Sequence, residues 1–311
     1  MAIVESVLSV IAPIKITDAK FISSTEPEND AEAPLWLAST TYAIAAKVRR
    51  NHVVYQAVKA STAGGQDPSL VIYNSGDNAF WTKIGPTNKW ACVDDEVSTP
   101  TVSAGPSMTM VFAPGFFTSA ALLGLDADVL DMLVNDPTTG EILFTYSGLL
   151  ESSQPPDYWE YFYDPFIQQT EYITSDIPPY NTAQVSVTLS KTSGTVAVGM
   201  IAFGDVKALG VTQYGAKVSP KSYSYVDTNE FGETVIVRGK KATDMTVTAR
   251  LKVSESPTVV QILQNLMDVP CVWIGTNLTN YNLRTFGLGN GSVTYDNFSD
   301  ALLTVNIEGM I

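Results

Sequence analysis

Residues 245–275 read MTVTARLKVSESPTVVQILQNLMDVPCVWIG, and this stretch decides the class of fold. In its first part Met245, Val247, Ala249, Leu251 and Val253 alternate with Thr246, Thr248, Arg250 and Lys252. A period of two puts the apolar set on one side of an extended chain, so the segment predicts a strand with one buried face. The period then changes. Ser256 suits an N-cap, Pro257 suits the first helical position, and Val259, Val260, Ile262, Leu263, Leu266 and Met267 form one apolar face. These signals predict a helix over 257–268, stopped by Val269-Pro270, with CVWIG following as a buried strand. One helix among strands is the pattern of a sheet or barrel with a helix packed on its side.

On either side the chain reads as β. Downstream, GLGNG at 287–291 predicts a loop, and Ala301, Leu303, Val305 and Ile307 alternate as a final strand. Gly287, Gly289 and Gly291 have the spacing G-x-G-x-G with no helix to follow, which sets aside a dinucleotide-binding loop. Upstream, Thr234–Val237 is a β run and RGKKATD a turn. Val185, Val187 and Leu189 alternate, KTSG turns the chain, and Val196, Val198 and Met200 alternate again, which predicts a hairpin. A second hairpin is expected from Val129 to Tyr146 around PTTG. Strand after strand without helices implies a β-sandwich of jelly-roll type over 96–207, followed by a β-rich assembly domain over 208–311.

Ahead of these lies an aromatic-rich unit, Leu35 to Trp90, with Trp36, Tyr42, Tyr55 and Trp81 separated by short polar runs. Its extent is set at 34–95, with Gly64, Gly65, Gly76 and Gly85 at turns, and residues 1–33 form an N-terminal strand arm and a linker, STEPENDAEAP. Large rings can hold together a module with little core, and they also form platforms on which sugars stack. The basic cluster Lys47 to Arg50 reads as a solvated strand edge.

Composition narrows the function. The 311 residues carry a net charge of −14, which argues against a nucleic-acid footprint, because phosphate neutralisation needs clustered cations. No apolar run approaches the roughly 20 residues of a membrane span, so no membrane insertion is expected. The N-terminus lacks the basic flank and cleavage site of a signal peptide, so the Asn-x-Ser/Thr matches at Asn277, Asn290 and Asn297 are chance. Cys92 and Cys271 read as two buried free thiols.

Catalytic constellations are not in sight. The one histidine, His52, has no sequence neighbours for a triad or metal site. Glu151, Asp157 and Asp164 lie around the aromatic run YWEYFY and Glu160 lies within it. Read as one strand, that run splits the acids between strand and turns instead of pairing them as a glycosidase does. Asp126, Asp128 and Asp131 alternate like calcium ligands but lack the glycine and distant Glu of an EF-hand loop. The expectation is therefore no enzyme, no cofactor and no metal site.

The order Trp36, Thr41-Tyr42, Val48, VVYQA at 53–57, Gly64-Gly65, Pro68 and W-x-x-I-G at 81–85 resembles the chitin-binding-type module of secreted glycan hydrolases. With GPTNKWA after it and Ile307-Glu308-Gly309-Met310-Ile311 at the end, the chain resembles a group of bacteriophage tail structural proteins, over about a third of its length. That resemblance implies a tail-tube-like C-terminal domain and a virion protein of the distal tail or baseplate, made in the host bacterial cytoplasm. It would assemble with itself as a ring of six and with other tail proteins, and Trp36, Tyr42, Tyr55 and Trp81 would contact a host-surface glycan. Trp90 would fasten the module to the next domain. The alternatives are a glycan-degrading depolymerase or hydrolase with an appended sugar module, or a free adsorption lectin.

Overall fold

The computed structural model describes residues 6–29, 32–60, 65–76, 79–151, 158–163, 168–228, 234–276, 278 and 281–310. The protein is mainly β: strands take 51% of the chain and helix 8%, so its layers are sheets. At its centre is a six-stranded closed barrel. Around it run Val7–Pro13, Cys271–Ile274, Arg284–Tyr295, Asp300–Gly309, Lys241–Lys252 and the far end of Ala197–Thr212. The pairs Val211 with Arg250 and Thr212 with Ala249 close the circle.

The strand read first behaves as its pattern requires. Met245, Val247, Ala249 and Leu251 are buried with Ala301, Leu303, Val305 and Ile307 of the neighbouring strand. The helix runs Ser256–Asn265, shorter than the expected 257–268, and sends Val259 and Leu263 into the same core, with Leu266 just beyond its end. Its N-cap is Glu255, not Ser256. The Ser256 hydroxyl instead donates 3.0 Å to the Val253 carbonyl, which draws the serine into the first turn. RGKKATD is not a turn throughout, because a strand begins at Lys241.

GLGNG is strand, not loop. Its glycines are demanded by close approach: a β-carbon at Gly287 would lie 2.0 Å from the Glu308 carbonyl oxygen. The same addition at Gly291 would lie 2.8 Å from the Leu263 side chain of the helix.

The 16-residue strand Ala197–Thr212 joins barrel to sandwich. Its first half pairs with Ser119–Asp126 and lies opposite a five-stranded sheet ordered Ile142–Leu149, Val129–Asn135, Gln184–Ser190, Ser107–Phe112 and Phe21–Ser24. Between the two layers lie Met108, Met110, Phe112, Leu130, Met132, Val185, Val187, Val198 and Phe203. Burying each such side chain stabilises the fold by roughly 1.5–3 kcal/mol. The division drawn at 207/208 falls inside this strand, so sandwich and barrel share a continuous backbone. The N-terminal strand Val7–Pro13 lies within the barrel wall, between Ala197–Thr212 and Cys271–Ile274.

The hairpin expected across KTSG does not form. Gln184–Ser190 pairs with Ser107–Phe112 and Val129–Asn135, while Ala197–Thr212 belongs to the other sheet. Both alternating runs point into one core from opposite layers, and a period of two records burial without naming the pairing partner. The Val129–Tyr146 hairpin is present, as Val129–Asn135 against Ile142–Leu149.

Candidate functional site

The aromatic module is a three-stranded sheet of Lys47–Arg50, Val53–Ala57 and Trp81–Pro86. Asn51 and His52 form a two-residue connection with φ of 50° and 65°, the left-handed pair that suits strand twist in a tight hairpin. All four sequence-selected rings meet in one cluster, in unequal positions. Trp81 is fully buried and its indole N–H donates 2.7 Å to the Gln66 carbonyl. Tyr55 is buried as well. Tyr42 packs edge-on to Trp81 at 5.4 Å, and its hydroxyl accepts the Leu37 amide at 2.8 Å. Only Trp36 and Tyr42 are partly open to solvent. Any platform therefore consists of Trp36 and Tyr42, with Trp81 and Tyr55 beneath as support. Gly64 lies outside the described residues.

The basic cluster is the edge strand of the module's sheet with Lys47 exposed, but its two arginines are partly covered and engaged. The Arg49 guanidinium donates 2.7 Å to the Ala33 carbonyl. That of Arg50 pairs with Asp67 at 3.2 Å and sits 5.3 Å from the Trp36 ring centre. Burial pushes the Asp67 carboxyl up, but hydrogen bonds from Ser69 and the Arg50 charge outweigh it and hold the group below its ordinary value.

The acidic segment before the module is a strap, held by its carboxylates. Glu26 accepts the Ala104 amide at 3.1 Å and Glu32 accepts the Asn88 amide at 2.8 Å. Glu28 accepts from the Thr87 hydroxyl and contacts the His52 ring. Trp90, within the turn of helix Asn88–Val93, belongs to the sandwich core, meets Phe21 edge-on at 5.2 Å and stacks on His52 at 4.0 Å. It bridges module and sandwich. Sequence reading missed His52 and Glu28 as a pair, because they lie 24 residues apart. The available signal was the short turn RRNHVV between two β runs.

The aspartates read together as Asp126, Asp128 and Asp131 are each engaged separately. Asp126 binds Lys191, Asp128 accepts the Thr192 amide and Asp131 accepts the Ser147 hydroxyl, so each has its own partner. Among the described residues no cluster of three His, Cys, Asp or Glu could hold a metal. YWEYFY is a helix, Tyr158–Tyr163, and not a strand. Tyr158, Trp159 and Phe162 are exposed on it, while Asp157, Asp164 and the Glu160 side chain lie outside the described residues. Cys92 and Cys271 are free and buried in different cores.

Three of the concave surfaces among the described residues lie on the barrel, one of them, of about 270 Å³, between the helix and residues 289–291. Another, of about 480 Å³, presents Asp244 and Glu308, but Asp244 accepts the Gly309 amide and Glu308 pairs with Lys221. A third, of about 400 Å³, has no charged group among the described residues that line it, which include Thr212, Tyr214, Thr276 and Tyr281.

The barrel also extends an arm. Pairing of Lys217–Ser222 with the start of Lys241–Lys252 continues into a two-stranded ribbon, Tyr225–Thr228 with Thr234–Val237. Tyr225, Val226, Val235, Ile236 and Val237 are each 58–63% exposed. Residues 235, 236 and 237 are consecutive, so apolar groups face solvent on both sides of the ribbon. No helix among the described residues is long and apolar enough to cross a membrane. No protein-family model, no curated protein and no solved structure matches the chain.

Proposed function

We propose that this chain is a non-enzymatic structural protein of a bacteriophage tail, near the distal tip or baseplate, that assembles with itself as a ring of six and with other tail proteins. The observation carrying the reading is the apolar ribbon. A two-stranded ribbon with both faces in water is marginal alone, and five exposed apolar side chains on it favour burial against a neighbouring copy. The sequence resemblance supplies the tail context. The module is placed at the outer surface, where Trp36 and Tyr42 form a weak platform for host-surface glycan whose avidity grows with copy number.

Mass measurement and electron microscopy of the purified protein test the assembly. A closed oligomer is expected for the wild type, and Val226→Asp with Ile236→Asp should leave a folded protomer that no longer assembles. A wild-type monomer absent from intact particles overturns the reading.

A further inference from the structure

The aromatic module has a tip that holds aliphatic side chains in water. Leu70, Val71 and Ile72, at the start of the one-turn helix Val71–Asn74, are 51%, 72% and 66% exposed. The loop that carries them is closed by its own polar groups. The Asp67 carboxylate accepts the Ser69 amide at 2.9 Å and the Ser69 hydroxyl at 2.7 Å, and the Asp67 carbonyl accepts the Leu70 amide at 3.1 Å. The Asn74 side-chain amide donates 2.9 Å to the Pro68 carbonyl. Tyr73 turns the other way, packing edge-on to Phe80 at 6.1 Å beside the cluster around Trp81, and its carbonyl accepts the Phe80 amide at 2.8 Å. A hydrogen-bonded turn, anchored through the next residue of the same helix, therefore presents the three aliphatic groups.

The module is also the basic part of an acidic chain. Residues 34–86 hold Lys47, Arg49, Arg50, Lys59 and Lys83 against Asp67 and Asp77, a net of +3 in a chain of −14, so the rest carries −17. Asp77 lies outside the described residues. Two of the cations stand at the base of the tip. Arg50 pairs with Asp67 at 3.2 Å, where the loop begins, and Lys59 Nζ lies 5.9 Å from the centre of the Phe80 ring that backs Tyr73. Lys47 and Lys83 are exposed on the two outer strands of the sheet. Three side chains on one turn offer far less than the roughly 800 Å² per partner of a stable protein interface. Protruding aliphatic groups beside cations instead match an anionic bilayer, whose headgroups meet the cations while the apolar groups enter the boundary with the acyl chains.

We infer that Leu70, Val71 and Ile72 dock the module on a lipid surface bearing anionic headgroups. The same surface repels the −17 carried by the rest of the chain, so the protein approaches with its module foremost. The contact is shallow and is not a span. Charge and insertion are both required, because neither a few cations nor three aliphatic side chains alone hold a protein on a bilayer. The docking does not depend on the tail assignment.

The test is co-sedimentation of the full-length protein with sucrose-loaded vesicles, made of phosphatidylcholine alone or with about one-third phosphatidylglycerol. At about 0.1 M salt the protein should bind the mixed vesicles at least about tenfold more tightly than the neutral ones, and about 1 M salt should release it. Val71→Ser with Ile72→Ser leaves Tyr73 and the charge unchanged, so it should lower binding about tenfold while its denaturant melt matches the wild type. Lys47→Gln with Lys83→Gln should lower binding about tenfold as well. Equal binding to the two vesicle types, or binding to neither, overturns the inference. So does full binding by the lysine variant, or by the serine variant, which would place the contact elsewhere, such as on the apolar ribbon.

Discussion

The indole of Trp273 occupies the space that a side chain on Gly289 would need: a β-carbon there would lie 2.1 Å from Cζ2 and 2.6 Å from Cε2. Trp273 is fully buried and its N–H donates 3.1 Å to the Gly287 carbonyl, so packing and hydrogen bond both hold the ring in place. Gly289→Ala should therefore cost about 3 kcal/mol or more of barrel stability. Gly291→Ala meets a Leu263 methyl that can rotate aside, and should cost about 1 kcal/mol. Gly105→Ala, with nothing within 4 Å, should be close to neutral. Denaturant melts of the three variants check the order, and equal costs would refute the account.

Trp81 and Trp36 should separate packing from ligand contact. Trp81 is fully buried and hydrogen-bonded to Gln66, so Trp81→Ala should cost about 3–5 kcal/mol, enough to unfold a unit of this size while barrel and sandwich remain folded. Trp36→Ala exposes little new core and mainly removes the Arg50 contact, a loss of about 0.5–1 kcal/mol. A melt showing a separate early transition for the first variant alone, read beside glycan-array binding of both, makes the comparison. Binding retained by a folded Trp36→Ala protein would remove the glycan role from that surface.

The parts legible in the sequence are those where burial is one-sided. Met245 to Leu251 alternate because one face meets the barrel core and the other meets water, and their pattern needs no knowledge of the rest of the chain. GLGNG misled for the opposite reason. Its glycines answer to Trp273, Glu308 and Leu263, which are distant or out of register in sequence, whereas glycine without context signals a turn. The KTSG connection carried correct burial on both sides and no record that its strands enter different sheets. In the module the ring cluster was legible, but which rings are covered was not: hydrophobic identity is the same for buried Trp81 and half-open Trp36. Glu26, Glu28 and Glu32 looked like a solvated linker because their partners are backbone amides and one imidazole from later in the chain.

Acid should loosen the module first. Asp67 is held below its ordinary range in the folded state despite the upward push of burial, because Ser69 donates to it from hydroxyl and amide and Arg50 lies beside it. A lowered folded-state value contributes stability that is fully present above the unfolded carboxyl's value, about 3.9, and is lost as pH falls through the folded value. Asp67→Asn should cost about 1 kcal/mol at neutral pH and flatten the acid limb of the module's stability profile. An unchanged acid limb in that variant would show that other carboxylates set it.

The two thiols should report on the two cores separately. Burial pushes Cys92 up to about 12, with the Thr101 contact opposing it, and burial pushes Cys271 to about 12 with Lys207 opposing. The thiolate is the reactive species, so at about pH 8 neither should react with a disulfide reagent while its core is closed. Cys92 contacts Met110 in the sandwich core, and Cys271 lies with Trp273 in the barrel core. Because one strand, Ala197–Thr212, contributes to both layers, opening of either should propagate to the other. Labelling across a denaturant series, with the modified cysteine identified by mass spectrometry, should expose both thiols in one transition. Cys271 reacting well before Cys92 would mean that the shared strand does not couple the two cores.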